Sequence, residues 1–295
     1  MKEKAAGMLL FALSLFSVTA GAQTAVAIDP PAAIYNVQPG GEATASILVA
    51  NPGSEAARVR VSLGDWMYQP DGQPAYLDPG TLPQSASPWI TFSPAEFVLA
   101  GHAKKIVRYT IKTPKNAEPG THWSVIFLQG EDPNAQPGAN IATFKLRVAH
   151  TIYVDVPPVE RNGEILGIAS VPPKKPDEPI AIGIQYANTG NGAYAITGRL
   201  EVRDGAGNVV GKADVDRTVV LPGATRVLVA NFFGPLEKGT YVILAVLNYG
   251  SETVDIAGQS VVDVPFDLEP PKPAAREAAP PDAQAKNGTS ATGGK

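Results

Sequence analysis

The 295-residue chain is 44% hydrophobic and only 18% charged, with a formal charge of −4 at pH 7, three histidines and no cysteine. That balance supplies real cores, excludes disulfides, thiolate metal sites and a cysteine nucleophile, and argues against nucleic-acid binding, which needs a clustered basic surface. The 29 glycines and 28 prolines are more than a helical chain tolerates, so the composition is that of an all-β protein.

Lys2 and Lys4 precede an apolar run from Ala5 to Val18, and Ala20-Gly21-Ala22 offers the small residues a signal peptidase reads. Residues 1–22 are therefore expected to be a signal peptide, cleaved after Ala22, which sends the chain to the periplasm or, alternatively, to the cell surface or the medium. No second apolar run reaches spanning length, so no stable membrane insertion is expected after cleavage. The first strand then reads as broken, Ala25–Ile28 and Ile34–Val37, interrupted by Asp29-Pro30-Pro31. Ala43–Ala50 follows with Ala45, Ile47 and Val49 on one face, Asn51-Pro52-Gly53 turns, and Ala57–Trp66 alternates Val59, Val61 and Leu63 with polar residues, the mark of one buried and one wet face.

Tyr68–Ala86 is loop-like, with turns at Gln69–Gly72 and Asp78–Gly80. Trp89, Phe92, Phe97 and Leu99, then Ile106, Val107, Tyr109 and Ile111, fall in short runs separated by Pro94, Gly101 and Pro114, and Pro119-Gly120 leads into Trp123–Leu128. A polar loop, Gly130–Asn140, precedes a long strand, Ile141–Val156, with Phe144, Leu146, Val148, Ile152 and Val154 on one face and Thr143, Lys145, Arg147, Thr151 and Asp155 on the other. Short β-branched and aromatic runs between turn formers read as an antiparallel sandwich over 23–156.

Residues 157–163, opening on Pro157-Pro158, form the expected linker. A second sandwich over 164–265 is expected from runs at Ile165–Val171, Ile180–Ala187, Ala195–Val202, Val209–Asp214, Val219–Leu221, Arg226–Phe233, Tyr241–Asn248 and Val254–Val264, with turn signals about every ten residues. The fold class is thus all-β, two immunoglobulin-like β-sandwich domains in tandem. The Pro/Ala-rich stretch 266–295 has too few large apolar residues to repay its ordering and reads as a disordered tail.

The chain offers little chemistry of its own. His102, His122 and His150 lie at no metal-ligand or general-base spacing, no nucleophile elbow or phosphate loop occurs, and Asp204–Asn208 lacks the further carboxylates of a calcium loop and reads as a hairpin turn. Trp66, Trp89 and Trp123 sit inside apolar strand patterns and are read as core rather than as a sugar-stacking platform. No catalytic residue, cofactor site or metal site is expected, and the protein is read as a non-enzyme.

The order W-x-x-F-x-P-x-x-F-x-L from Trp89 to Leu99, a glycine turn, K-x-V-R-Y-x-I from Lys105 to Ile111, and P-G-T-H-W-S-V-I-F from Pro119 to Phe127 resembles the amino-terminal domain of PapD-like periplasmic pilus chaperones. The likeness spans roughly Ala25 to Val156. It implies a protein that binds pilus or other surface subunits by strand addition, with an arginine on the first strand and a lysine on the last strand of the domain clamping the subunit's carboxylate. Here the matching positions hold Ala32 or Ala33 and His150, so the basic pair is missing. The donor row implied by the resemblance is Ile141, Thr143, Lys145 and Arg147, which with His150 make the candidate partner-binding residues. A one-residue slip offers Phe144, Leu146 and Val148 instead, and the sequence leaves that register open. The alternative is a structural or cell-surface interaction protein built of the same modules, similar to WxL-associated proteins.

The signal-peptide reading has a direct check. The mature chain is expected to begin at Gln23 in the periplasmic or extracellular fraction; soluble cytoplasmic protein whose intact mass still includes Met1–Ala22 would contradict it.

Overall fold

A computed structural model describes residues 25–69, 72–134, 146–250 and 255–270. The expected signal peptide, most of the expected tail, and Ile141, Thr143, Phe144 and Lys145 lie outside them. The regular elements among the described residues are strands, apart from a 3-10 turn at Ser87–Trp89. They form two immunoglobulin-like β-sandwiches. By contact the chain divides into two compact units: one takes in residues up to Glu164 together with Ala187–Tyr194 and Val219–Arg226, the other Ile165–Tyr186, Ala195–Thr218 and the residues from Val227 on.

The first sandwich starts with the broken strand. β1 (Ala27–Asp29) pairs antiparallel with β3 (Glu42–Ala50), and after the two prolines β2 (Ala32–Asn36) joins the other sheet, parallel to β10 (Leu146–Val156). One sheet runs β1-β3-β8-β6, where β6 is Ile90–Ser93 and β8 Lys104–Lys112. The other runs β2-β10-β9-β4-β5, where β4 is Ala57–Tyr68, β5 Pro74–Leu77 and β9 Gly120–Glu131; β7 (Glu96–Leu99) also pairs with β4. Between the sheets lies a core that includes Ile47, Val49, Val59, Val61, Val107, Tyr109, Ile111, Ile126, Leu128, Ile152 and Val154, the inward rows of the alternating strands.

Two polar anchors hold its connections. The Asn51 amide donates to the carbonyls of Glu55, Leu99 and Ala100, while its oxygen accepts the Gly53 N–H at 3.0 Å, so the expected turn is also stitched to the end of β7. Asp65 is fully buried on β4, and its carboxylate accepts from the Leu82 N–H (2.9 Å) and from the Ser85 and Ser87 hydroxyls (2.6 Å each). Those three donors pin the segment after β5 to the sheet, which a carboxylate out of water requires. The segment read as loop between Tyr68 and Ala86 therefore contains one short strand, β5, and is otherwise held by Asp65.

The second sandwich has a three-stranded sheet, β11 (Gly163–Val171), β12 (Ile180–Asn188) and β15 (Thr225–Phe232), and a four-stranded sheet in the order β14-β13-β16-β17. In the latter β13 is Tyr194–Arg203, β14 Val209–Val220, β16 Gly239–Asn248 and β17 Ile256–Val264. Period-two rows fill the interior: Ile180, Ile182, Ile184 and Tyr186 on β12, and Tyr241, Ile243, Ala245 and Leu247 on β16. β11 faces β17 across it, because a side chain at Gly258 would meet Ile165 and Ile168 and the Ser170 and Ser260 hydroxyls bond at 2.7 Å. Val209–Asp214 and Val219–Leu221, expected as two strands, are one: no turn former separates them, and Val215 is buried inside the run Asp-Val-Asp-Arg-Thr.

The alternation on β8 sets up a test. Ile111 is fully buried whereas Ile106, on the other face of the same strand, is 45% exposed. Ile111→Ala is expected to cost about 2–5 kcal/mol in chemical denaturation and Ile106→Ala less than about 1 kcal/mol; equal losses would mean the faces are misassigned.

Candidate functional site

β10 is where the first sandwich leaves main chain unpaired. Along one side it is antiparallel to β9 for its whole length, Leu146 opposite Gly130 through Val156 opposite Gly120. On the other side β2 covers only Thr151–Asp155. The Thr151 N–H bonds the Pro31 carbonyl (3.0 Å) and the Val37 N–H bonds the Asp155 carbonyl (2.9 Å), so odd-numbered residues turn their main chain toward β2. Alternation then directs the N–H and C=O of Arg147 and Ala149 to the same side, beyond the reach of β2. Among the described residues nothing pairs with them.

The side chains of this segment have different surroundings. Leu146 is 44% exposed at the strand's start, and Val148 packs against the core. Arg147 lies on the opposite face from Val148, its guanidinium 4.1 Å from the Phe127 ring centroid and 5.6 Å from that of Tyr76. Stacking of this kind orients an arginine without consuming its N–H donors. Beside it is an open recess of about 470 Å³, lined also by Ser62, Leu77 and Asp78.

His150 is fully buried. Its Nδ1 lies 2.7 Å from the Pro30 carbonyl and its Nε2 3.0 Å from the Tyr109 hydroxyl, which is 2.6 Å from the Tyr35 hydroxyl. A carbonyl only accepts, so Nδ1 carries the proton, Tyr109 donates to Nε2, and Tyr35 donates to Tyr109. Burial pushes the imidazole below its ordinary value, against the opposing pull of the Pro30 carbonyl, and burial pushes the Tyr109 phenol up. A neutral imidazole with both nitrogens engaged and no exposed surface has nothing to offer a carboxylate.

Of the candidate residues, then, Arg147 and His150 fall in the described part of β10, on opposite faces of the strand, while Ile141, Thr143 and Lys145 precede it. Ala32 and Ala33 stand opposite Thr151 and Ile152. With Val148 in the core, the slipped row Phe144, Leu146 and Val148 has only Leu146 exposed among the described residues.

Trp66 and Trp123 are buried, as their patterns suggest, but not between the two sheets. With Val125, Phe127 and Tyr153 they form a second apolar cluster on the opposite face of β4, β9 and β10, joined by Ala193 and Leu221 of the same unit. The Trp123 indole donates to the Trp66 carbonyl at 2.7 Å. Trp89 is half-buried against the core and rests on the His122 ring, centroids 4.4 Å apart. His102 is exposed in a turn, with φ 60°. The Asp204 carboxylate accepts the N–H groups of Ala206 and Asn208, both at 2.9 Å, closing a hairpin turn.

No protein-family model and no curated protein matches the chain. Among solved structures it is similar to PapD-like pilus chaperones. One, from a chaperone–tip adhesin complex of CFA/I fimbriae, shares 13% identity with a TM-score of 0.43, over 80% of this chain and 99% of that one. The CupB2 chaperone of Pseudomonas aeruginosa shares 11% with a TM-score of 0.41, over 81% and 100%. A structure of Salmonella enterica SafA pilin with the SafB chaperone gives 14% and 0.40, over 80% and 96%.

The buried imidazole makes stability depend on pH. The unfolded imidazole takes up a proton near its ordinary value of about 6.5 and the folded one resists it, so stability present in full above that value is lost as the pH falls below it. The denaturation midpoint is expected to drop between about pH 7 and pH 5, and His150→Gln to flatten that drop. Identical slopes for the two proteins would show that His150 is not the group responsible.

Proposed function

We propose that this is an exported, non-enzymatic PapD-like chaperone or assembly protein that holds subunits of a pilus or another surface structure by adding one of their strands to the open edge of β10. The observation that carries this reading is the pair of unpaired main-chain groups at Arg147 and Ala149, in line with the ladder that β2 makes further along the same strand. A subunit strand entering there occupies the side of β10 that β2 vacates, and main-chain bonds supply most of the affinity.

Binding in this reading needs no charged clamp. β1 and β2 contain no basic residue, and His150 is enclosed. Arg147, Lys145, Thr143 and Ile141 are the residues proposed to lie along the added strand, with His150 acting from below by holding Pro30. The second reading, a structural or cell-surface interaction protein, is favoured by the same enclosure of His150, since a partner without a carboxylate to anchor fits such an edge equally well.

Affinity capture from the periplasm, with identification of the bound chain, tests the partner class. Arg147→Pro and Ala149→Pro each delete one outward N–H and no bond to β9, so each is expected to weaken capture about tenfold or more with an unchanged circular dichroism spectrum. Capture untouched by both substitutions removes this edge from the interface, and a captured chain that belongs to no surface structure favours the second reading.

A further inference from the structure

β15 is a sheet edge of a different kind. It ends the three-stranded sheet and runs Thr225-Arg-Val-Leu-Val-Ala-Asn-Phe232, eight residues with one charge. That charge does not guard the edge, for the Arg226 guanidinium lies over the Tyr68 ring, 3.5 Å from its centroid. Val227 and Val229 on its outer face are 56% and 59% exposed, and Phe233 just beyond it 51%.

Among the described residues, the other edges carry protection that β15 lacks. In the first sandwich the outer strands β1, β2, β5, β6 and β7 have at most five residues, and Pro30-Pro31 precedes β2. β14 carries Lys212, Asp214, Asp216 and Arg217, and β17 carries Asp263. β11 has Glu164, and its alternation breaks at Leu166-Gly167, which are both exposed. Short strands, charges and breaks are the ordinary means by which soluble proteins prevent edge-to-edge pairing. A long edge without them, made of valine, leucine and phenylalanine, is a template for another strand.

We propose that β15 pairs antiparallel with β15 of a second copy of this chain, joining two three-stranded sheets into one six-stranded sheet across a two-fold axis. The strand's own order selects that occupant and the register. Antiparallel partners share a face, so an isologous pairing must centre on a residue. Centred on Leu228, it sets Val227 against Val229 of the second copy, Val229 against Val227, and Thr225 against Asn231. Centred one pair further, on Val229, it sets Val227 against Asn231 and Thr225 against Phe233, mismatching apolar and polar side chains. β-branched side chains directly opposite one another are favourable cross-strand pairs, and the Leu228 register makes two of them on the outer face.

The chain contains no cysteine, so engineered thiols report without background. Sedimentation velocity of the full chain is expected to show a reversible dimer at tens of micromolar, and Val229→Lys, at an exposed position, to raise its Kd at least about tenfold without changing the circular dichroism spectrum. The double variant Val227→Cys/Val229→Cys is expected to oxidise to a reductant-sensitive covalent dimer, because each thiol then faces one on the other copy. A chain that stays monomeric at about 100 μM overturns the proposal. So does a dimer that resists Val229→Lys and fails to cross-link, or one that Arg147→Pro dissolves, which would move the contact to β10.

Discussion

Two consecutive residues without an amide hydrogen, Pro30 and Pro31, set the terms for the first sandwich. Neither can donate to a ladder, so the first strand must leave β3 after Asp29 and can join β10 only from Ala32 on. That late arrival is what leaves Arg147 and Ala149 uncovered: a first strand without the interruption would run on beside β10 and close the edge. The Pro30 carbonyl, which joins no ladder at the switch, accepts from the His150 Nδ1–H instead. The imidazole is in turn held by Tyr109 and Tyr35, from β8 and β2, so three strands and the crossover share one chain of hydrogen bonds.

The same sheet is buried on both faces along β9. From Gly120 to Glu131 every residue of β9 but Gln129 is buried. Ile126 and Leu128 reach the core between the sheets, while Trp123, Val125 and Phe127 reach the aromatic cluster on the other side. β9, covered on both faces, is thus a packed neighbour for β10 along its whole length. Phe127 belongs to that cluster and also carries the Arg147 guanidinium, which ties the position of the cation to the packing beneath it.

The sequence revealed most where one physical rule decides the outcome. Paired prolines force a break, alternating valines force a two-faced strand, and Asn-Pro-Gly forces a turn; β1, β2, β3, β4 and the turn at Asn51 lie where those rules put them. The unbroken apolar run Val125–Leu128, with Trp123 before it, carries a further message, that both faces of the strand are covered. Val209–Asp214 and Val219–Leu221 read as two runs because the apolar alternation lapses between them, although nothing between Asp214 and Val219 can turn the chain. His150 was harder. Its parity places it with Val148, Ile152 and Val154, but only the location of Pro30, 120 residues away, explains why a histidine belongs in that row. The outward direction of Arg147's main chain was beyond the sequence altogether, because it depends on register with β2 and β9.

The two open edges differ in what guards them, and the difference follows from their surroundings. The uncovered segment of β10, Leu146–His150, is five residues long, lies across from Pro30-Pro31 and carries an exposed arginine. Length, charge and proline all limit promiscuous pairing. β15 has eight residues, apolar outward side chains and no such restriction. An edge without such guards is open to pairing, and a strand whose own sequence matches itself about Leu228 can be covered by a closed pair. Two-fold pairing consumes both edges at once and leaves none to propagate, whereas pairing with an unrelated strand leaves the second copy's edge exposed.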